Sequence, residues 1–273
     1  MKSFAGKRCV VTGAGSGIGR ALAIDLAARG GWLAVSDVNE EGLAETLALI
    51  DQATKRHSLE ILDVTDAGAI EDYAASLSRD WGTADWLFNV AGLTRFGPFS
   101  QTPAEAFDQV MDVNFQGVVR MTRAFLPQLL QTRGGVVNIS SLFGLIGFPG
   151  QSHYCASKFA VRGFSETLAM ELKPLNVSVS CVHPGGVATR IAQDAVIDAQ
   201  ENRERIAETK NTFADNAFTS PERAARLILN GAAKGKRRIV IGRDAFALSM
   251  FQRLFPAGYQ RAISGAVIKR LQE

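Results

Sequence analysis

The sequence predicts an α/β fold, a Rossmann-like doubly wound parallel sheet of about seven strands with helices on both faces. Short β-rich runs such as RCVVT and WLAVSD alternate with longer runs of helical character. The first β-rich run leads directly into a glycine-rich turn, and 47% of the 273 residues are hydrophobic, enough for a sizeable core. We therefore expect one dinucleotide-binding and catalytic domain over residues 1–243, with residues 244–273 as a C-terminal amphipathic extension of it.

Composition and charge argue against several classes of protein. The formal net charge of +3 is small and dispersed, which does not favour a nucleic-acid partner. No apolar run reaches the length of a membrane span and the N-terminus lacks a signal-peptide core, so a cytoplasmic location is expected. Cys9, Cys155 and Cys181 lack CxxC spacing and are expected to be buried thiols. The histidines form no HxxH or HxxxH pair, so no metal site is expected.

The glycine-rich turn follows the first predicted strand and opens a predicted helix. That context favours a dinucleotide site, because the helix N-terminus presents free N–H groups to phosphates. Gly13 suits a tight turn, Gly17 a close approach of the backbone to a pyrophosphate, and Gly19 the packing of helix on strand. Ser16 and Ile18 lie between these glycines and belong to the same candidate site. A glycine-rich turn without a ligand is the alternative.

An acidic residue, Asp37, ends the next predicted strand. A carboxylate about 20 residues past such a turn binds the ribose hydroxyls of NAD and repels the 2′-phosphate of NADP. No basic residue stands at Ser16, Val38 or Asn39 to attract that phosphate. NAD is therefore the expected cofactor, with NADP a less favoured possibility. The alternative is that Asp37 caps the helix that begins near Glu40.

Two further predicted strands end in residues suited to a ligand site. Asp63 and Val64 close one of them, at the edge where ligands bind in such sheets. Asn89 closes the other and is expected to bond the backbone of a neighbouring strand. Ala91 and Gly92, which follow, keep the wall thin beside an adenosine.

A serine, a tyrosine and a lysine form a candidate acid/base centre. Tyr154 and Lys158 are four residues apart, which places both on one face of a helix. A lysine ammonium beside a phenol lowers the tyrosine pKa and makes it a usable acid/base near neutral pH. Ser141 lies thirteen residues before the tyrosine and could bond the same oxygen centre. The alternative is a surface tyrosine and lysine on an ordinary helix.

Taken in order, these motifs resemble the short-chain dehydrogenase/reductase family of single-domain type. The matching pieces span residues 7 to about 241. They are TGxxxGxG at Thr12–Gly19, Asp63–Val64, NVAG at Asn89–Gly92, Asn114 within MDVNFQG, Ser141, YCASK at Tyr154–Lys158 and HPGGVAT at His183–Thr189.

The resemblance implies a role for each member of the centre. Tyr154 would be the general acid/base, and Lys158 would lower its pKa and hold the nicotinamide ribose. Ser141 would orient the substrate oxygen, and the family spacing selects it over Ser140. Asn114 would keep a water-linked proton path to the lysine. No metal is required for this chemistry.

The turn PGGVAT is expected to hold the nicotinamide. The Thr189 hydroxyl would bind the carboxamide, and the backbone from Gly185 to Val187, after Pro184, would serve the ring. The substrate is expected to be a hydrophobic secondary alcohol or ketone, because the candidate pocket residues are mostly apolar. These candidates are Leu93, Phe96, Leu142, Phe143, His153, Gly186 and Ile191. His153 has two interpretations, a pocket residue or, preferred, a surface histidine at the start of the helix.

The expected function is that of an NAD-dependent alcohol dehydrogenase or ketone reductase, and two other functions are alternatives. One is an NADPH-dependent 3-ketoacyl-type reductase, against which Asp37 argues. The other is a non-catalytic NAD-binding scaffold, against which the complete set of Asn114, Ser141, Tyr154 and Lys158 argues.

The second half of the chain predicts assembly and a mobile cover. One long helix is expected over residues 102–135, with Thr102 as N-cap and Pro103 at the first position. The helix carrying Tyr154 is apolar on more than one face, which favours a homodimer or homotetramer. By resemblance, residues 190–219 form a lid. Residues 244–273 are expected to pack between subunits or over the pocket, with a membrane-surface helix and a frayed end as alternatives.

Overall fold

We describe a computed structural model of the 273-residue chain. The structure describes residues 2–50, 57–198 and 218–261, together with residues 204, 207, 208 and 211. Much of the predicted lid, and the predicted extension beyond residue 261, lie outside the described residues.

Strands and helices alternate along the chain, as expected. The strands are β1 Arg8–Thr12, β2 Trp32–Asp37, β3 His57–Ile61, β4 Trp86–Asn89, β5 Arg95–Phe96, β6 Gly135–Ile139, β7 Ser178–Pro184, β8 Val196–Ile197 and β9 Arg238–Ile241. The α-helices are α1 Gly17–Ala28, α2 Glu40–Leu49, α3 Ala67–Asp80, α4 Ala104–Met111, α5 Gly117–Thr132, α6 Ser152–Glu171, α7 Arg190–Gln193, α8 Pro221–Ala233 and α9 Arg243–Leu254.

Seven strands form one parallel sheet in the order β3-β2-β1-β4-β6-β7-β9. The order runs outward in both directions from β1 and β4, which makes a crevice at the carboxyl ends of these strands. The predicted doubly wound parallel sheet is confirmed. The short strands β5 and β8 form a separate parallel pair outside this sheet.

Alternate residues of the strands face opposite sides of the sheet, and each side has its own core. Val11 faces α1 and α8, where Leu22 and Ile228 are fully buried. Val10 faces α3, α5 and α6, where Phe125 is fully buried and Leu168 nearly so. Each buried side chain of this size contributes about 2 kcal/mol. Burial on both sides explains why the strands are continuous apolar runs.

The predicted long helix over residues 102–135 is interrupted, and it ends at Thr132 because Gly135 begins β6. Thr102 is not its N-cap, because its hydroxyl donates to the carbonyl of Pro98 (3.1 Å) and the helix begins after Pro103. Residues 112–116 form a π-helical turn between α4 and α5. Helix α5 continues through Pro127 to Thr132. A π-turn shifts the phase of a helix, and here it carries Asn114.

The expectation for Asn89 is also corrected. Its side chain does not bond a neighbouring strand's backbone but donates to the side chains of Asn138 (2.8 Å) and Thr122 (3.2 Å). Asn138 in turn donates to the hydroxyl of Ser165 on α6 (2.9 Å). These buried side chains bond one another because no water reaches them. The resulting polar chain fixes β4 and β6 against α5 and α6.

Candidate active site

A cleft lies at the carboxyl ends of the central strands and gathers most of the candidate residues. Ser141, Tyr154 and Lys158 line it, together with every candidate cofactor residue except Asn89. Asn89 lies behind the wall in the polar chain just described. The candidates lining the cofactor side are Gly13, Ser16, Gly17, Ile18, Gly19, Asp37, Asp63, Val64, Ala91, Gly92, Pro184, Gly185, Val187 and Thr189.

The glycine-rich turn has the geometry that a pyrophosphate needs. Gly17 has φ +51°, and a Cβ there would lie 3.1 Å from the methyl group of Thr189. A Cβ at Gly19 would collide with the carbonyl oxygen of Gly13. Ser16 precedes α1 and its side chain makes no capping hydrogen bond, so the first-turn amides face the cleft without a side-chain cap. The turn therefore fits a dinucleotide.

Asp37 is tied to the glycine-rich turn. One carboxylate oxygen accepts from the amide of Gly15 (2.8 Å) and the other from the amide of Asn39 (3.0 Å). The cap of α2 is Asn39, whose side chain accepts from Gly42 (3.0 Å), so the alternative role of Asp37 as helix cap does not hold. Asp37 lines the cleft at the end of β2.

Arg20 holds the same turn from the other side. Its guanidinium donates to the Gly15 carbonyl and to the hydroxyl of Thr46 (3.0 Å), and it pairs with Glu45 (2.6 Å). The cation nearest the glycine-rich turn in sequence is thus already paired with an acid on α2. Asp37 lines the cleft, whereas Arg20 and Glu45 are not among the described residues that line it.

Tyr154 and Ser141 meet in the cleft. Ser141 follows β6, its hydroxyl accepts from the amide of Phe143 (3.1 Å), and both it and Tyr154 line the cleft. Burial raises the pKa of Tyr154 to about 12, and the Ser141 side chain opposes that rise. His183 on β7 fixes the serine's backbone, since its Nδ1 lies 3.1 Å from the Ser141 carbonyl.

Lys158 lies one helical turn beyond the tyrosine. Its Nζ is 5.5 Å from the centre of the Tyr154 ring and donates to the Ile139 carbonyl (3.0 Å). Burial lowers the pKa of Lys158 to about 8. The i,i+4 spacing thus brings the two side chains together, but the expected lowering of the tyrosine pKa is not found. Burial disfavours the charged form of both groups, and it is the largest cause of both pKa shifts.

Asn114 is fully buried beside the lysine and does not itself line the cleft. Its amide oxygen accepts from the amide of Leu93 (2.9 Å), and its Nδ2 donates to the Leu93 carbonyl (2.9 Å) and to the Ser157 hydroxyl (3.1 Å). A Cβ at Gly92 would contact both Asn114 Oδ1 (3.0 Å) and Lys158 Nζ (3.4 Å). The glycine therefore keeps these two polar groups close to each other.

The substrate candidates divide into two groups. Leu93 and Ile191 line the cleft. The other five are not among the described residues that line it: Phe96, Leu142, Phe143, His153 and Gly186. Phe143 still contacts the Tyr154 ring edge to face (6.2 Å between centroids) and stacks on Phe148. The preferred interpretation of His153 as a surface histidine is wrong, because its side chain is completely buried.

Two residues after position 243 contact the loops that follow β6 and β7. Asp244, at the start of α9, accepts from the amide of Gly186 (2.8 Å). The Tyr259 hydroxyl accepts from the amide of Gly147 (3.1 Å), and its ring packs with Leu142 and Ile146. Residues after 243 therefore belong structurally to the loops that follow β6 and β7.

Sequence reasoning missed five residues that line the cleft, Leu62, Gln109, Val113, Ile139 and Asp194. Gln109 and Val113 are four residues apart and stand just before Asn114. Their own i,i+4 spacing, which places both on one helical face, was the available signal. Asp194 carried no comparable signal, because it lies in a polar segment without a motif.

Comparison with known proteins identifies the family. The family model for short chain dehydrogenase matches residues 7–200. The chain belongs to the short-chain dehydrogenase family. The "Putative oxidoreductase SadH" of Mycobacterium tuberculosis is 43% identical over 274 residues, covering 98% of both chains. The 3-oxoacyl-[acyl-carrier-protein] reductase FabG of Thermotoga maritima is 32% identical, covering 82% of this chain and 89% of that protein.

A solved short-chain dehydrogenase from Burkholderia phymatum, in complex with NAD, superposes with a TM-score of 0.87 at 27% identity. The match covers 93% of this chain and 95% of that one. The protein is therefore an oxidoreductase of the short-chain dehydrogenase family that uses a nicotinamide cofactor and acts on CH–OH or keto groups. No helix in the described part of the chain is long and apolar enough to cross a membrane.

Proposed function

We propose that this short-chain dehydrogenase prefers NAD and interconverts a hydrophobic secondary alcohol and its ketone. The observation that supports the cofactor preference is Asp37, held at the cleft by the Gly15 amide (2.8 Å) with Arg20 already paired to Glu45. A carboxylate in this place accepts from ribose hydroxyls and repels a 2′-phosphate. Leu93, Val113 and Ile191 give the substrate side an apolar lining.

In the proposed mechanism the nicotinamide supplies hydride transfer. Tyr154 takes the hydroxyl proton during alcohol oxidation and returns it during ketone reduction. Ser141 donates a hydrogen bond to the substrate oxygen, which positions it near the phenol. Lys158 in its ammonium form stabilises the phenolate. Asn114 holds the Leu93 backbone and lies beside the lysine, where it could carry one end of a water-linked proton path.

Cofactor binding and a substrate panel test this proposal. The dissociation constants of NADH and NADPH are measured by the change in cofactor fluorescence, and NADH is expected to bind more tightly. Initial rates with NAD(H) are then measured for a steroid, a long-chain secondary alcohol and an aryl ketone. Tighter binding of NADPH would refute the cofactor assignment, and activity confined to short polar alcohols would refute the substrate class.

A second candidate is an NADPH-dependent 3-ketoacyl-type reductase. It is supported by two relatives, the Thermotoga FabG and the 3-ketodihydrosphingosine reductase of Mus musculus, which is 31% identical over 89% of this chain. The acidic group at Asp37 argues against it. A 3-ketoacyl thioester reduced faster with NADPH than with NADH would favour this candidate. A non-catalytic scaffold would bind NADH and turn over none of these substrates.

We also propose that the protein is a cytoplasmic homodimer or homotetramer. Phe159 and Met170 on α6 are 40% and 61% exposed, which is costly for large apolar side chains on a long helix. The buried thiols Cys9, Cys155 and Cys181 are consistent with a reducing compartment. Size-exclusion chromatography with light scattering is expected to give a mass of two or four chains. A monomer that remains at high concentration contradicts the assembly.

A further inference from the structure

His153 stands directly before Tyr154 and is completely buried at the start of α6. Its ring centroid lies 6.2 Å from that of Phe107 on α4. On its other side is the ion pair of Arg95 and Asp198, in which both carboxylate oxygens are bonded (2.5 and 2.7 Å). A polar side chain held in such a place needs a reason, since burying it costs free energy unless it is bonded.

The hydrogen bond of the ring fixes its tautomer. Nδ1 of His153 accepts from the backbone amide of Tyr154 at 2.8 Å. Nδ1 must therefore carry no proton, and the neutral ring bears its proton on Nε2. Burial lowers the pKa of His153, which agrees with a neutral ring. Nε2 faces Asp198 Oδ2 at 4.0 Å and has no hydrogen-bond partner among the described residues. The N–H dipole thus points toward a carboxylate.

The amide that the ring holds would otherwise be unpaired. The first four N–H groups of a helix have no partner within the helix and are usually capped by a side chain. Gln151 is the N-cap residue of α6, but its side chain makes no cap bond. It instead accepts from Thr94 (2.8 Å) and donates to the Arg95 carbonyl (2.6 Å). His153 therefore supplies the missing acceptor in the turn that carries Tyr154.

We propose that His153 is a positioning residue that holds the Tyr154 backbone through Nδ1, with its ring oriented by the Arg95–Asp198 pair. The inference rests on the proposed role of Tyr154 as acid/base. A tyrosine in the first turn of a helix moves when that turn frays. Reacting groups misplaced by about 1 Å lose up to about 100-fold in rate. The ring also lies near Asp198, which follows Ile191 and Asp194 of the cleft in the sequence.

Three substitutions separate the acceptor from the bulk of the ring. His153→Asn places an amide oxygen near the position of Nδ1, whereas His153→Gln places its amide near Nε2 and leaves the Tyr154 amide unpaired. His153→Leu has the size of Asn without any acceptor. We expect the Gln and Leu variants to lose about 10-fold or more in kcat. The Asn variant is expected to regain most of that loss, with the dissociation constant for NADH unchanged in all three.

The measurements are kcat and KM per NADH-binding site, with thermal unfolding recorded for each variant. Wild-type kcat in the Gln variant, or an Asn variant as slow as the Gln variant, would overturn the inference. If the Leu variant fails to fold, the difference in kcat between the Asn and Gln variants still tests the inference. Tyr154→Phe is assayed in parallel. Full activity of Tyr154→Phe refutes the proposed function itself. If Tyr154→Phe loses activity and His153→Gln keeps wild-type kcat, only the role of His153 is refuted.

Discussion

The two sides of the cleft are built differently. The cofactor side consists of a glycine-rich turn, closed locally between Gly13 and Gly19, and of strand ends that the parallel sheet brings together. The substrate side consists of loops held by residues far away in the chain. Gly147 is bonded to Tyr259, 112 positions later, and Arg95 to Asp198, 103 positions later.

The difference indicates how the fold can keep one chemistry and change its substrate. Strands buried on both faces hold the cofactor side rigidly, because their packing tolerates little change in volume. The loops of the substrate side depend on single peripheral contacts, such as that of Tyr259 with Gly147. Substitutions on one side should therefore leave the binding constant of the other side nearly unchanged.

The largest expected effect comes from Tyr154→Phe, which lies where the two sides meet. Removing the phenol removes the proton donor and acceptor, and we expect kcat to fall by about 100-fold or more. The NADH dissociation constant should change little, because the ring remains in place. Stopped-flow rates and cofactor titration measure the two quantities. Wild-type turnover in this variant would refute the mechanism, and lost NADH binding would show that the two sides are not separable.

Asp37→Asn tests the cofactor side alone. The amide retains an oxygen that can accept from Gly15 but lacks the charge that repels a 2′-phosphate. We expect the ratio of NADPH to NADH affinity to rise by about 100-fold, since juxtaposed like charges cost several kcal/mol. The KM for the alcohol should not change. Glu41→Gln removes an exposed charge on α2 outside the cleft and should leave the ratio unaltered. An equal change of the affinity ratio in both variants would mean that the net charge of the protein, and not the position of Asp37, sets the cofactor preference.

The pH dependence tests the acid/base centre in both directions. Alcohol oxidation needs the Tyr154 phenolate, whose pKa of about 12 makes it scarce near neutrality. Its rate should rise about tenfold per pH unit and level off above the Lys158 pKa of about 8, where the ammonium is lost as phenolate accumulates. Ketone reduction needs the protonated phenol and the ammonium, so it should be flat below about pH 8 and fall above it.

Steady-state kcat/KM in both directions, from about pH 6 to about pH 10, gives these profiles. A reduction rate that does not change over this range would contradict the pKa of Lys158. An oxidation rate that falls with rising pH would contradict the assignment of Tyr154 as base.

Sequence patterns predicted the cofactor side far better than the substrate side, for a physical reason. The alternation of strand and helix gave the sheet, and the positions of Gly17, Asp37 and Thr189 follow from strand ends. The burial of His153 depends on Phe107 and Asp198, which no local pattern connects to it. The predicted direction of the Tyr154 pKa shift was also wrong. The i,i+4 spacing shows that a lysine is near, but it does not show how far burial removes the phenol from water.

The smallest expected effect belongs to the substrate side and comes from Tyr259→Phe. The change removes the acceptor of the Gly147 amide while leaving the ring in its cluster with Leu142 and Ile146. A hydrogen bond of this kind is worth about 1 kcal/mol, so Tm should fall by about 2–4 °C. Because residues 142–148 lie beside Tyr154, the KM for the hydrophobic substrate should rise about threefold.

The control for this last substitution is Tyr73→Phe. Tyr73 is also nearly fully buried, but it lies on α3 against Phe125, far from the loop after β6. Its loss of a hydroxyl should leave both the substrate KM and the NADH dissociation constant unchanged. If Tyr259→Phe raises the NADH dissociation constant as much as the substrate KM, the residues after 243 support the whole cleft. If only the substrate KM rises, the residues after 243 act on substrate selection through the loop that ends at Gly147.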